Sequence, residues 1–202
     1  MVFVIITYFN CVKTPKTAPK PGVLPVAWGA RRRAGLCPPT MMNATTINEE
    51  NPMQAEIAEF AALLDQQGVH AALGYLNHRT PHRYTGLWRF DGNMLRSEVL
   101  FDRKTADVRQ GADAPLAATY CSLVGRTEAP VQILDAAVDP QALGIETPVI
   151  SYCGALMRDG QGQAFGTLCH YDLQRCQERT TDQPLLNAAA QLLYRRLHPA
   201  GK

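Results

Sequence analysis

TYCSLVGRTEAPVQILDAAVDP (residues 119–140), PVISYCGALMRD (148–159) and QAFGTLCHYD (163–172) form the stretch on which the fold turns. The last two segments are apolar and rich in aromatic and β-branched residues, and Gly160-Gln161-Gly162 between them has the composition of a tight turn. They read as two strands, 149–157 and 164–171, joined in a hairpin. Immediately upstream, residues 131–134 read as a short strand, and 135–143 as a loop or short helix closed by Gly144. Residues 115–125 read as a helix, with Pro115 in its first turn and Gly125 past its end.

The same pattern continues outward. RYTGLWRF (83–90) and residues 94–101 flank Asp91-Gly92-Asn93, a second hairpin. Before it, Asn51-Pro52 reads as a helix entry with Asn51 as the cap. Ile57, Phe60, Ala61 and Leu64 then recur at helical spacing as far as Gln67 and Gly68, and a second short helix covers 69–76. At the other end, Leu185, Leu186, Ala189, Leu192 and Leu193 give residues 183–197 one apolar stripe. Arg195, Arg196 and His198 stand near its C-terminal end, where the helix dipole favours positive charge. Hairpin-linked strands with helices before, between and after them predict an α+β domain: a central antiparallel β-sheet with helices on both faces.

Composition narrows the function classes. The chain has 202 residues, 46% hydrophobic and 19% charged, which suits one domain with extensions. No apolar run approaches the roughly 18 residues that span a bilayer, so no membrane partner is expected. Through Thr40 there are six bases and no acid, whereas from Met41 onward 14 bases face 18 acids. The globular part lacks the clustered Lys and Arg of a nucleic-acid footprint. Residues 1–41, with their prolines and basic residues, read as a disordered or non-native N-terminal extension, and 42–202 as the single domain. The apolar start precedes the positive charges and no small-residue cleavage site follows, so the segment does not read as a secretory signal.

Several pieces in order resemble the GAF sensory domain. They are a Cys-containing helix around Cys121, the Gly125-Arg126-Thr127-Glu128 turn, a strand ending in Asp135, Asp139-Pro140, Tyr152-Cys153-Gly154, Asp159-Gly160, and Gly166-Thr167-Leu168-Cys169. The resemblance covers residues 119–172, and the flanking strands and helices sit where that family would put them. It implies a GAF-like fold and a pocket between the sheet and residues 115–144. Gln141 and Ala142 replace the Arg-Phe that often follows Asp-Pro, Cys153 replaces a small apolar residue, and Met157 replaces a common Leu. These departures bear on ligand identity.

Around such a pocket the expected ligand-binding residues are Trp88, Tyr120, Cys121, Ser122, Asp135, Ser151, Cys153, Cys169 and Tyr171, a mixture of aromatic surface and a few polar groups. Against this, Trp88 and Tyr120 also read as plain core aromatics, and Asp135 as the cap of the next turn. The ligand classes that the resemblance implies are a nucleotide, a metabolite or a tetrapyrrole. No cysteine pair has Cys-x-x-Cys spacing, so no metal site is expected. Strand alternation places Ser151, Cys153 and Ala155 on one face, and Thr167, Cys169 and Tyr171 on one face of the neighbouring strand. Were the two faces the same, Cys121, Cys153 and Cys169 would form a thiol cluster fit for redox catalysis. Buried cysteines also act simply as small hydrophobes. Cys169-His170 is a Cys-His dipeptide of the kind that attaches bilins in some GAF domains, though here it falls in a strand. His78 and His82 have the i, i+4 spacing of a helical metal pair, but Pro81 interrupts the helix.

The first expected function is a small-molecule-binding sensory or regulatory module, cytoplasmic, signalling to an output protein in trans or through a homodimer of its terminal helices. The alternatives are a cysteine-dependent enzyme of the free methionine sulfoxide reductase type and a ligandless interaction module.

Overall fold

The structure, a computed structural model, describes residues 52–105, 107–177 and 182–199. The expectations for residues 1–41 and for Asn51 as a cap lie outside the described residues. Among the described residues, four α-helices and six strands follow in the order α1 (Pro52–Gln67), α2 (Val69–Asn77), β1 (Tyr84–Asp91), β2 (Met94–Asp102), β3 (Ala114–Pro115), α3 (Cys121–Thr127), β4 (Val131–Ile133), β5 (Ser151–Arg158), β6 (Ala164–Asp172) and α4 (Gln183–Leu197). All strand pairs are antiparallel, in the order β3-β2-β1-β6-β5-β4, so the central β1 and β6 join two hairpins that are distant in sequence. The fold is α+β, as the hairpins and flanking helices predict.

The sheet divides two apolar layers. Beneath it, Phe60 and Leu64 of α1, Leu73 and Leu76 of α2, and Leu185, Leu186, Ala189 and Leu193 of α4 pack with Leu87, Cys153, Ala155, Met157 and Leu168. Above it, α3 and the loops around it cover Trp88, Leu95, Tyr152, Leu156 and Cys169. Alternation along each strand produces the split: neighbours such as Leu168 and Cys169, or Tyr152 and Cys153, point to opposite layers.

The helix expected over 115–125 is replaced by three shorter pieces. Ala114 and Pro115 pair with the edge of β2, a place where proline's missing N–H costs no ladder bond. A 3₁₀ turn follows over Leu116–Ala118, and Thr119 is extended (φ −138°, ψ 150°). Helix α3 then begins at Cys121 and runs through Gly125 to Thr127, ending at Glu128 in the left-handed region (φ 53°). Gly125 is a contact position inside the helix: a Cβ there would stand 3.0 Å from the ring of Phe90. No helix among the described residues is long and apolar enough to cross a membrane.

Candidate functional site

A cavity of about 330 Å³ opens above the sheet. Its floor is the upper face of β1, β5 and β6, which contributes Trp88, Tyr152, Cys169 and Tyr171. One wall is the chain entering α3, including Tyr120, with Cys121 at its foot against the floor, and residues 146–149 form the other. Aromatic contacts brace it: Tyr120 meets Tyr152 edge-on (ring centroids 5.7 Å apart), and Tyr171 is stacked on Tyr84 at 4.9 Å. Apart from tyrosines and thiols, the single ionisable side chain among the described residues of the lining is Glu146, which is exposed.

Five of the nine residues expected at the site line this cavity: Trp88, Tyr120, Cys121, Cys169 and Tyr171. The other four stand elsewhere. Ser122 Oγ donates to the Thr119 carbonyl at 2.7 Å. Asp135 Oδ1 accepts from the Ala137 N–H at 3.0 Å, making it the cap of its own turn. Ser151 Oγ donates to the Gln174 carbonyl at 2.7 Å, at the edge of a separate polar pocket of about 90 Å³ with His82 and Asp172. Cys153 lies in the lower layer, where its thiol donates to Gln183 Oε1 at 2.9 Å.

The register explains the separation. Cys153 pairs with His170, and Cys169 pairs with Gly154, so the two cysteines project from opposite faces of the sheet. The expectation of one three-cysteine cluster therefore does not hold. A displacement of one residue in pairing exchanges the faces of a whole strand, and β5, buried at every position from Ser151 through Met157, shows no alternation of buried and exposed residues to reveal which face is which. The same displacement brings in Tyr152, which the sequence reading missed. Residues 146–149 were also missed, because the covering segment had been placed over residues 115–144.

Cys121 and Cys169 meet at the cavity floor. Cys121 Sγ accepts from Thr167 Oγ1 at 3.1 Å and from the Tyr152 hydroxyl at 3.4 Å, and it is hydrogen-bonded to Cys169. Burial by itself raises the Cys121 thiol, but the bonds from Cys169, Thr167 and Tyr152 outweigh it and hold its pKa below the ordinary value. Burial, and donation to Cys121, push Cys169 well up. Burial likewise raises Tyr152, reinforced by the charge that Cys121 and Cys169 would carry, so the phenol stays protonated and donates.

The Cys169-His170 dipeptide is split by the sheet. His170 faces the lower layer, where its Nδ1 meets Thr85 Oγ1 at 2.7 Å and its ring stacks on His82 with centroids 6.1 Å apart. Asn77 ties Thr85 to the carbonyls of His82 and Arg83. No histidine among the described residues lines the cavity.

No protein-family model matches the chain, and no curated protein matches its sequence. Solved structures do resemble it. The GAF domain of an Acinetobacter phosphoenolpyruvate-protein phosphotransferase superposes with a TM-score of 0.57 at 10% identity, over 71% of this chain and 91% of that one. The corresponding domain from Coxiella burnetii gives 0.51 at 16% identity, over 72% and 95%. A free methionine-R-sulfoxide reductase from Neisseria meningitidis, in complex with its substrate, gives 0.55 at 13% identity, over 71% and 87%. At these identities the likeness extends to the fold and no further: the chain has a GAF-like fold, with an aromatic cavity above the sheet and two thiols in its floor.

Proposed function

We propose that this chain is a small-molecule-binding sensory module and that the cavity above the sheet is its ligand site. The observation that carries the reading is the cavity itself, a concave aromatic space of about 330 Å³ with a few convergent polar groups. Its lining favours a small uncharged metabolite over a nucleotide: no Lys or Arg among the described residues of the lining is present to meet phosphate. A tetrapyrrole held through histidine is disfavoured in the same way. Output would pass to a partner in trans or to a second copy through α1 and α4. The inner stripe of α4 is already buried against the sheet, so such a dimer would use outer surface such as Leu197, which is 42% exposed.

Native mass spectrometry of the full chain tests the ligand site. The expected result is an added small-molecule mass, or thermal stabilisation by a neutral metabolite, that disappears in Ala118→Trp, where the new ring occupies the cavity. A bare mass together with unchanged melting across nucleotides, metabolites and tetrapyrroles would count against the reading.

One observation favours a second reading, a cysteine-dependent reductase: the hydrogen-bonded pair Cys121 and Cys169 lies in the cavity floor. Structures of free methionine-R-sulfoxide reductases share the fold. On this reading, NADPH-coupled sulfoxide reduction with thioredoxin and its reductase would be lost in Cys121→Ser and Cys169→Ser but retained in Cys153→Ser. Absence of turnover in the parent protein would reject it.

A further inference from the structure

Across the middle of the sheet, Gly86 of β1, Cys169 of β6 and Gly154 of β5 stand side by side in register. A Cβ at Gly86 would overlap Trp88 Nε1, and one at Gly154 would overlap the Tyr152 hydroxyl. The two bare positions thus let an indole N–H and a phenol O–H fold back over the strands on either side of Cys169. Cys121 Sγ stands over the same row, accepting from Tyr152, Thr167 and Cys169.

One donor in this cluster has no acceptor among the described residues: Trp88 is only 8% exposed, and its Nε1–H meets no hydrogen-bond partner there. A buried N–H is rarely left unpaired, and this one borders the cavity. An acceptor carried by a bound molecule would complete it, close to the sulfur that three other donors surround.

We propose that Cys121 is a peroxide-reactive thiol and Cys169 its resolving partner, so that the chain reduces small, neutral organic hydroperoxides bound in the cavity. This rests on the cavity being the ligand site and names the substrate class for it. The Cys121 thiolate attacks the terminal oxygen of ROOH, the S–O bond forms and the O–O bond breaks. The departing alkoxide meets the Trp88 N–H and takes up, through the Tyr152 hydroxyl, the proton that the Cys121 thiol released. The products are ROH and a sulfenic acid on Cys121. Cys169 sulfur then attacks Cys121 sulfur; the S–S bond forms, and hydroxide leaves with the Cys169 proton as water. The thiol pair has lost two electrons and the hydroperoxide has gained them. An external dithiol returns two electrons and two protons to reset the pair.

The donor set suits both steps. Cys121 is the sulfur favoured as thiolate, and Cys169 keeps its proton until it is needed. The lining explains the substrate class: aromatic walls suit an apolar R group, and Glu146, the exposed carboxylate at the rim, disfavours anionic peroxides.

Cumene hydroperoxide and the full-length protein provide the test, read by intact mass and peptide mapping. Wild type should lose two hydrogens, with Cys121 linked to Cys169. Cys169→Ser should stop at a one-oxygen adduct on Cys121 that dimedone traps, Cys153→Ser should behave as wild type, and Trp88→Phe should slow oxidation about tenfold or more. A Cys121→Ser protein that oxidises at the wild-type rate, or a wild-type map without the Cys121–Cys169 link, would overturn the proposal. The wild-type map decides alone should Cys121→Ser fail to fold. If the thiols survive peroxide while Trp88 fluorescence still responds to cumyl alcohol, the peroxide chemistry fails and the ligand site stands. If neither responds, both fail.

Discussion

Gly154 and Gly86 are occupied, in effect, by their neighbours' polar tips, which makes each a sensitive position. Gly154→Ala must displace the Tyr152 hydroxyl from Cys121, and overpacking of this kind costs about 1–3 kcal/mol. Gly160→Ala, where nothing lies within 4 Å, should change stability by less than about 0.5 kcal/mol; urea unfolding of the two variants measures the contrast. The histidines of the lower layer give a second residue-scale expectation. Burial lowers His82 to about 4, against a weaker opposing pull from Asp172, and lowers His170 to about 3, with His82 and Arg103 adding to it. The unfolded chain binds protons near pH 6.5 while the folded chain does not, so stability is full above pH 6.5 and falls as the pH drops toward these folded values. The loss is about 1.4 kcal/mol per pH unit for each histidine. Urea midpoints followed from neutral pH to about pH 4 should show this slope, and His170→Asn should reduce it by about half. A flat profile over that window would mean that the imidazoles are not buried neutral.

At the scale of elements, α4 is held by its leucines against β5 and α1. Leu186 is fully buried, so Leu186→Ala should cost about 2–5 kcal/mol, measurable as a shift in chemical denaturation midpoint. The ion pairs at the other end of that packing matter less. Arg79 bridges Glu56 of α1 and Asp182 before α4 at 2.5 and 3.1 Å, with its side chain 30% exposed; Arg79→Ala should cost no more than about 1 kcal/mol and lose that effect in high salt. The same helices show why some elements were legible in the sequence and others were not. α1 and α4 each carry one apolar stripe against a polar remainder, so spacing marked them as helices, and Pro52 and Gly68 marked the ends of α1. β5 is buried on both faces over seven consecutive residues, and a strand without a polar face gives no sign of its orientation. Cys153 was therefore placed with Cys169, and Tyr152 was overlooked. The segment at 115–125 failed for a different reason. Pro115 and Gly125 carry the composition of a helix's two ends, yet one lies on a strand edge and the other receives an aromatic ring, and both uses are tertiary.

For the molecule as a whole, two hairpins joined at β1 and β6 make a single partition with a different environment on each side. Above it lie the thiols and aromatics of the cavity, and below it lie the helices and the buried histidine network. Successive residues of β6 serve both: Cys169 belongs to one environment and His170 to the other. The backbone between them works as an insulating wall. An oxidant arriving from above and acid arriving from below would address separate compartments, so neither would disturb the other's contacts. Expressed as a circuit, the strand is a two-sided board: a fault introduced at the sulfur contacts leaves the imidazole contacts wired, and each line can be cut while the other still carries its signal.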